Sequence, residues 1–391
     1  MIIPEAKRLN GIAEYYFSRK LQEIRELNNR GEDIINLGVG SPDLPPPAEA
    51  IDTLQSTAAL PESHGYQPYR GIPQLRQAIA DWYRQRYGVQ LNPAQEILPL
   101  MGSKEGITHI SLAFLNSGDQ VLVPDPGYPA YASAARLAGA EALFYNLREA
   151  NHWLPDWHEL EQLDTTRVRV MWVNYPHMPT GVVAGKSAFA RLIDFARERR
   201  ILLCHDNPYS LILNPQPPLS ILALPGAREC CLELNSLSKS FHMAGWRMGM
   251  VAGAAPYLAA IMKVKSQQDS GMFLPVQQAA VRVLGMSPQW HEQQNARYRQ
   301  RRELIRQLLT RLGCTWQSDT AGLFVWGKLP QEADDAETFV DELLYSAGIF
   351  FTPGSVFGSN GSRYIRASLC AAEERIQQAI QRIHHIRRRK E

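Results

Sequence analysis

The chain has 391 residues, with 41 Lys and Arg against 39 Asp and Glu, so its formal net charge is +2. Hydrophobic residues make up 45% and charged residues 20%, an ordinary globular balance that excludes a disordered chain. The charge gives no basic face for nucleic acid, and no apolar stretch is long enough to predict a membrane span.

The cysteines and histidines bear on the compartment and on metals. The five cysteines form no C-x-x-C pair, and an odd number cannot pair completely within one chain. With no apolar signal-peptide region at the start, this pattern predicts reduced thiols and a cytoplasmic location. The ten histidines lack partners at ligand spacing, so no metal site is expected.

Along the chain, short apolar runs alternate with helical patterns. Helices are expected near 11–30 and over 72–87, and the strand-like runs begin at Val121, Val168, Ile201, Cys231 and Gly249. Continuous apolar strands separated by helices are typical of a parallel sheet covered on both faces. The pattern predicts an α/β fold with a large, doubly wound, mostly parallel sheet.

After about residue 285 the pattern changes. Two long amphipathic helices are expected, one closed by Gly313 and one running through Ile386, with shorter strand-like runs between them. We predict a large domain over 46–285 and a smaller α+β domain made of 1–45 and 286–391.

Polar residues follow the apolar runs. Open α/β sheets bind their ligands beyond the carboxyl ends of the strands, so these positions predict an active site. The residues concerned are Gly102, Ser103, Lys104, Asn174, Asp206, Tyr209, Ser236, Ser238 and Lys239.

Lys239 lies at the end of an apolar strand, between two serines. It could be a solvated surface lysine, or a buried amine of depressed pKa that forms a Schiff base. With Ser236 it also fits a Ser-x-x-Lys acyl-transfer dyad. That dyad requires partner motifs of the S-D-N and K-T-G type, which the chain lacks.

The stretch SLSKSFHMAGWRMG resembles the pyridoxal-phosphate (PLP) attachment motif of class I/II aminotransferases, which have PLP fold type I. NLGVGSPD at 36–43, YQPYRGIPQLR at 66–76 and GSKEG at 102–106 resemble further blocks of this family. VLVPDPGYPAY, NYPHMPTG, DNPY and YIRASL follow in the family's order. The resemblance therefore extends over nearly the whole chain.

The resemblance implies a role for each matching residue. Lys239 would hold PLP as an aldimine and move protons, Asp206 would pair with the ring nitrogen, and Tyr209 would donate to the phenolic oxygen. Tyr128 would stack on the ring, and Asn174 would contact cofactor and substrate. The phosphate would be held by Gly102, Ser103, Lys104, Ser236, Ser238, Arg247 and, from a neighbouring subunit, Tyr66. That last contact implies a homodimer with shared active sites.

The resemblance also places the substrate. Arg366 would bind the α-carboxylate through its guanidinium fork, whereas Arg363 falls off the motif. Asn36 and Gly38 would flank the substrate. Tyr15, with the tyrosine that follows it, could belong to a substrate lid or to aromatic core packing.

Two positions depart from the family's pattern. Met178 stands where the family usually has Asn, which bonds the phenolic oxygen. Loss of this donor is expected to raise the aldimine pKa, leaving the role to Tyr209 alone or with His177 or Asn174. His242 stands where a small residue or Asn is commoner, and a buried structural histidine is expected there.

The function expected from the resemblance is transfer of an amino group from an L-amino acid to a 2-oxo acid by ping-pong chemistry. Aspartate, alanine, glutamate and LL-diaminopimelate are the donors considered. The alternatives are a C–S β-lyase or a decarboxylase on the same fold. A transcription regulator with this fold would need a preceding DNA-binding module, for which the sequence before Asn36 leaves no room.

Overall fold

The computed structural model describes residues 3–10, 12, 14 and 16–390, with side chains for all of these except 7 and 385–390. The strands are β1 Ile35–Asn36, β2 Ile97–Leu100, β3 Gln120–Asp125, β4 Glu141–Asn146, β5 Val168–Asn174, β6 Leu202–Asp206, β7 Cys231–Ser236, β8 Gly249–Gly253, β9 Thr315–Trp316, β10 Phe324–Lys328, β11 Ile349–Phe350, β12 Thr352–Pro353 and β13 Tyr364–Ser368.

The helices occupy most of the segments between the strands. They are α1 Tyr16–Asn29, α2 Ala48–Ala58, α3 Pro73–Tyr87, α4 Ser103–Phe114, α5 Ala130–Leu137, α6 Trp157–Gln162, α7 Lys186–Arg199, α8 Ala227–Cys230, α9 Leu237–Ser240, α10 Ala255–Lys265, α11 Leu274–Leu284, α12 Gln289–Arg311, α13 Ala336–Ala347 and α14 Glu373–Lys390. Across the described residues, every helix is too short or too polar to cross a lipid bilayer.

The large sheet has the strand order β2-β8-β7-β6-β5-β3-β4. Strands β3 to β7 pair in parallel, which confirms the predicted mostly parallel α/β sheet. The apolar run at Gly249 is an exception, because β8 is antiparallel to both β2 and β7. The segment between β7 and β8 contains only the short helix α9 and one 3-10 turn in place of a long crossover helix, and the chain returns in the opposite direction.

The sheet is buried on both faces, as the continuous apolar runs predicted. On β5, Val170 and Trp172 pack into one core with helices α4, α5 and α10, and Met171 and Val173 pack into the other with α3, α7 and α11. Full burial of each such side chain stabilises the fold by roughly 1.5–3 kcal/mol. These two cores fix the strand ends that carry the polar residues.

The sequence analysis missed strand β4. This strand lies at the edge of the sheet, paired only with β3, and most of its residues are partly exposed. Phe144, for example, is 47% exposed. A strand with one covered side has no continuous apolar run, which was the pattern used to find the others.

A smaller sheet of order β12-β13-β10-β9 packs with α12 and α13. Strand β1, near the start of the chain, pairs in parallel with β11, so that Ile35 lies opposite Ile349. The N-terminal segment thus contacts the C-terminal part of the chain. The domain boundaries at 45/46 and 285/286 stay predictions.

Arg301 of α12 ties these distant segments together. It is only 2% exposed, and its guanidinium donates to Asp43 Oδ1 at 2.6 Å, to Glu373 Oε1 at 3.1 Å and to the Leu369 carbonyl at 3.1 Å. The side chain therefore joins the segment before α2 to the start of α14.

We predict that Arg301→Ala lowers the free energy of unfolding by about 2 kcal/mol, because charge-assisted hydrogen bonds are lost. Urea unfolding measures this change. Arg311→Ala, at an exposed position of the same helix, is the matched control and should change the free energy little. Equal losses of unfolding free energy in the two variants would contradict the stabilising role of the Arg301 hydrogen bonds.

Candidate active site

A cavity of about 370 Å³ opens at the carboxyl ends of the large-sheet strands. This volume is within the range of small-molecule sites. Segments from all parts of the chain line it: Phe17, Val39, Gly40, Ser41, Ser103, Lys104, Tyr128, Tyr131, Asn174, Met178, Asp206, Pro208, Tyr209, Ser236, Ser238, Lys239, Ala244, Arg247, Phe324 and Arg366.

The sheet topology explains why the predicted residues meet. Strands β2 and β7 are both antiparallel to β8, so they run in the same direction as each other and as β5 and β6. Their carboxyl ends lie at one edge. Asn174, Asp206 and Ser236 end β5, β6 and β7, and Ser103 begins the helix after β2.

Lys239 lies in the short helix α9, so the expectation that it ends the strand is wrong by three residues. The strand stops at Ser236 because its hydroxyl accepts the Ser238 amide at 3.1 Å and caps the helix. Lys239 Nζ donates to the Gly40 carbonyl at 2.5 Å. Burial lowers the pKa of Lys239, and the charges of Arg366 and Arg247 act in the same direction. A depressed pKa favours the neutral, nucleophilic amine.

Asp206 is the acid of the site. It is 5% exposed, and its Oδ2 accepts a hydrogen bond from the Tyr131 hydroxyl at 2.9 Å. Burial raises the pKa of Asp206 to about 6. Its other oxygen, Oδ1, is buried without a hydrogen-bond partner among the described residues. A buried unpaired acceptor on the cavity wall fits a cationic N–H donor from a ligand.

Lys104 and Arg247 form a cationic cup around Gly102 and Ser103 at the start of α4. Gly102 has φ 88°, and a Cβ there would lie 2.0 Å from Arg247 Nη2, so this position requires glycine. Ser103 presents the N-terminal amides of α4, which favour an anion. Burial and then the charge of Arg247 lower the pKa of Lys104. An anion with several acceptor oxygens, such as a phosphate, would offset this repulsion.

Asn174 holds the strand ends together. Its Nδ2 donates to the Asp206 carbonyl at 2.6 Å, and its Oδ1 accepts the Met178 amide at 2.7 Å. His177 bonds Thr180 and a backbone carbonyl, and burial lowers its pKa to about 3. His177 does not line the cavity, whereas Tyr209 does.

Arg366 is buried among aromatic rings. The guanidinium carbon lies 4.0 Å from the ring centroid of Phe324, 4.6 Å from Phe357 and 5.3 Å from Phe17. Nη1 lies 3.3 Å from the Met178 sulfur, and Nη2 donates to a backbone carbonyl at 2.7 Å. The rings stabilise the cation and exclude water, so an anionic ligand would bind it strongly.

The remaining predicted residues occupy different positions. Gly38 does not line the cavity, but its carbonyl accepts the Arg366 bond, while Asn36 accepts the amides of the turn. Tyr66 is 93% exposed and lies outside the cavity. Tyr15 lies outside the described residues. Tyr128 lines the cavity and packs edge-to-face on Tyr131 at 5.6 Å.

Sequence reasoning missed several wall residues. Tyr131 stacks on Trp172, with ring centroids 4.8 Å apart, and bonds Asp206. Tyr131 could have been predicted from the sequence, since it lies three residues after Tyr128. Phe17 and Phe324 were not singled out, because an aromatic ring over a guanidinium has no sequence pattern of its own. Only the fold brings them to Arg366.

His242 has a structural explanation. Its φ is 56°, in the left-handed region where Gly and Asn are favoured and His is tolerated. The ring is buried, lies 2.9 Å from the Tyr298 hydroxyl through Nε2 and packs edge-to-face on Trp290. This environment is that of a buried structural histidine.

A group of metal-type ligands lies behind the cup. Atoms of Glu105, His109 and Asp269 come within 4.8 Å of one another. Both oxygens of Asp269 accept hydrogen bonds from Lys265, at 2.8 and 2.6 Å. This ammonium already neutralises the carboxylate, so the group carries no metal assignment.

The comparison with known proteins agrees with this geometry. The profile of the family Aminotransferase class I and II matches residues 32–383. The chain belongs to this family, and it is an aminotransferase. An LL-diaminopimelate aminotransferase of Desulforudis audaxviator is 41% identical over 384 residues, covering 98% of each chain. One of Dehalococcoides mccartyi is 39% identical over 383 residues, again covering 98% of each.

Solved structures show the same fold. A substrate-bound BacF structure from Bacillus subtilis has a TM-score of 0.93 at 35% identity, covering 99% of this chain and 98% of the other. An aspartate aminotransferase mutant of Thermus thermophilus has a TM-score of 0.91 at 26% identity, covering 98% of this chain and 100% of the other. The prediction of a class I/II aminotransferase of PLP fold type I is thereby confirmed.

We predict that Gly102→Ala weakens PLP binding by about tenfold or more, because the methyl group displaces Arg247 and strains a positive φ. Fluorescence titration of the cofactor-free protein measures the affinity. Gly118→Ala is the control: it shares the positive φ but has no atom within 4 Å of the new Cβ, so its PLP affinity should be unchanged. Equal weakening in both would contradict the role of Arg247.

Proposed function

We propose that the chain binds PLP through Lys239 and transfers the amino group of LL-diaminopimelate, or of a chemically related amino acid, to a 2-oxo acid. The observation that carries this proposal is the placement of Lys239, Asp206 and Arg366 in one cavity with a cationic cup. A nucleophilic amine, a buried acid and a carboxylate receptor are the groups that amino-group transfer through PLP requires.

The residues fit the cofactor. The unpaired Asp206 Oδ1 matches a protonated ring nitrogen, and the cup matches a phosphate dianion. Tyr128 would cover one ring face, and Tyr209 would donate to the phenolic oxygen. Ser103, Lys104, Ser236, Ser238 and Arg247 would hold the phosphate. Bound PLP supplies an electron sink for the negative charge that develops at the substrate Cα.

The chain's own residues then control the proton and the substrate. Lys239 Nζ, as a neutral amine, would take the proton from the substrate Cα and would return it at the cofactor's C4′ atom. Asp206 keeps the ring nitrogen protonated by accepting its hydrogen bond. Arg366 binds the α-carboxylate bidentately, and the rings of Phe324 and Phe357 keep water away from this pair.

The donor is proposed from the relatives, which are LL-diaminopimelate aminotransferases at 39–41% identity. We further propose a homodimer in which the exposed Tyr66 reaches the phosphate of the neighbouring subunit. The five cysteines are free thiols, which supports the proposed cytoplasmic location.

The test of function is the visible spectrum of the PLP-loaded protein with single L-amino acids. We predict that LL-diaminopimelate shifts the cofactor band to that of the aminated cofactor, without ammonia or carbon dioxide release. Aspartate, alanine and glutamate complete the panel, and Lys239→Ala should abolish the shift. Product release with an unchanged band would instead indicate a β-lyase or decarboxylase.

We predict that Arg366→Lys raises the KM for the amino donor about tenfold or more, because Lys cannot form the bidentate pair. Steady-state kinetics measures this. Arg363→Lys is the matched control, since Arg363 lies outside the cavity and donates to the backbone carbonyls of Pro330 and Asp334. A similar KM in the two variants would remove Arg366 from the substrate site.

We predict that Met178→Asn lowers the pH midpoint of the cofactor's visible band by about one unit, because the amide donates to the phenolic oxygen. An absorbance titration of the loaded protein measures the midpoint. Met178→Leu, which also lacks a donor, should leave it near the parent value. No difference between the Asn and Leu variants would show that position 178 does not contact this oxygen.

A further inference from the structure

A buried pair of titratable residues, His205 and Glu233, lies beside Asp206 on strands β6 and β7. His205 immediately precedes Asp206 on β6, and its register partner on β7 is Glu233. Both side chains are fully buried, at 0% exposure. Neither lines the cavity, so the pair has no part in the contacts described above.

The hydrogen bonds limit the protonation states of this pair. His205 Nε2 lies 2.8 Å from the Tyr175 carbonyl, which can only accept, so Nε2 carries a hydrogen. His205 Nδ1 lies 2.9 Å from Glu233 Oε2, which also accepts the Ser220 hydroxyl at 2.9 Å and the Ile221 amide at 3.0 Å. Glu233 Oε1 is buried without a hydrogen-bond partner among the described residues. If Glu233 is ionised, both imidazole nitrogens donate; if Glu233 carries the proton, the imidazole is neutral.

Besides Ser220 and Ile221, which donate to Glu233, one aromatic ring and two tyrosines surround the pair. The Phe189 ring packs edge-to-face on the imidazole at 4.9 Å. On the Glu233 side, Tyr83 and Tyr87 stay neutral, since burial and the Glu233 charge raise their pKa values. The nearest acid along the strand is Asp206, where the Tyr131 hydrogen bond and then the His205 charge oppose the rise in pKa that burial causes.

Burying an ion pair rarely adds stability, because the desolvation cost matches or exceeds the attraction between the charges. Two apolar residues would fill these positions of a buried sheet at least as well. An ionised pair would also create an electric field at the neighbouring Asp206, and such a field is strong where water is excluded.

We propose that the His205–Glu233 pair is a positioning device that keeps Asp206 ionised: Glu233 holds His205 as an imidazolium, and this charge stabilises the Asp206 carboxylate for the cofactor's ring nitrogen. The inference rests on the proposed function, because the ionised Asp206 matters only if PLP binds. His205 acts through Asp206 and touches neither cofactor nor substrate.

The first test uses the unaltered protein without cofactor. With ¹⁵N-labelled histidine, the His205 signals, assigned by their loss in His205→Gln, should show both ring nitrogens protonated through neutral pH. A neutral imidazole with one N–H would overturn the proposal, and this measurement depends on no variant's stability.

The second test measures Asp206 directly, also without cofactor. Carboxyl ¹³C signals of labelled aspartate, assigned with Asp206→Asn, should give a titration midpoint about one pH unit higher in His205→Gln and in Glu233→Gln. The double variant should show no greater shift, since either change removes the imidazolium. His291→Gln is the control, because burial lowers the pKa of His291 to about 3 and no charge is lost.

Unchanged Asp206 midpoints in both variants would overturn the proposal. With the cofactor added and the pH lowered stepwise, the PLP affinity of the variants should begin to fall at a higher pH than that of the parent protein. The reason is that Asp206 of the variants becomes protonated at a higher pH. If the parent protein does not bind PLP at all, the proposed function fails while the midpoints of the cofactor-free protein still decide the inference.

Discussion

The site depends on one topological constraint, the antiparallel insertion of β8 between β2 and β7. Because both neighbours oppose β8, the loop after β2 meets the same edge as the ends of β5, β6 and β7. The contact is close, since a Cβ on Gly249 would lie 2.7 Å from the Ser103 amide nitrogen and 2.9 Å from the Gly102 carbonyl carbon. Without this strand, the cup would not face the lysine that follows β7.

The charges of the cavity follow from this arrangement. Lys104, Lys239, Arg247 and Arg366 line it against a single carboxylate, Asp206, among the described lining residues. Such an excess of positive charge disfavours the ammonium of Lys239 and favours anionic ligands. Burial is the largest cause of the lowered pKa of Lys239, and the charges of Arg366 and Arg247 add to it. A phosphate and an α-carboxylate would neutralise the excess of positive charge, so the same charges also favour what binds.

The sequence predicted the fold from local patterns, because buried strands produce apolar runs and polar residues at their ends, such as Asn174 and Asp206, can be read directly. Other wall residues, such as Arg247 and Arg366, were predicted only through the resemblance to the family. The direction of β8 could not be read in this way, since burial does not encode direction, and β4 was missed because this edge strand is only partly covered. Phe17 and Phe324 were missed because their contact with Arg366 joins segments far apart in sequence.

Met178, which departs from the family's pattern, bears on both the proposed substrate site and the proposed cofactor site. A thioether is a weak hydrogen-bond acceptor and no donor, so the 3.3 Å contact with Arg366 constrains the guanidinium less than an amide oxygen would. The same side chain offers nothing to the cofactor's phenolic oxygen. If PLP and substrate bind as proposed, one residue would therefore affect both the guanidinium that receives the substrate and the oxygen side of the cofactor. Asp206, which bonds Tyr131 on the other wall of the cavity, would then carry a larger share of the control over the cofactor's charge.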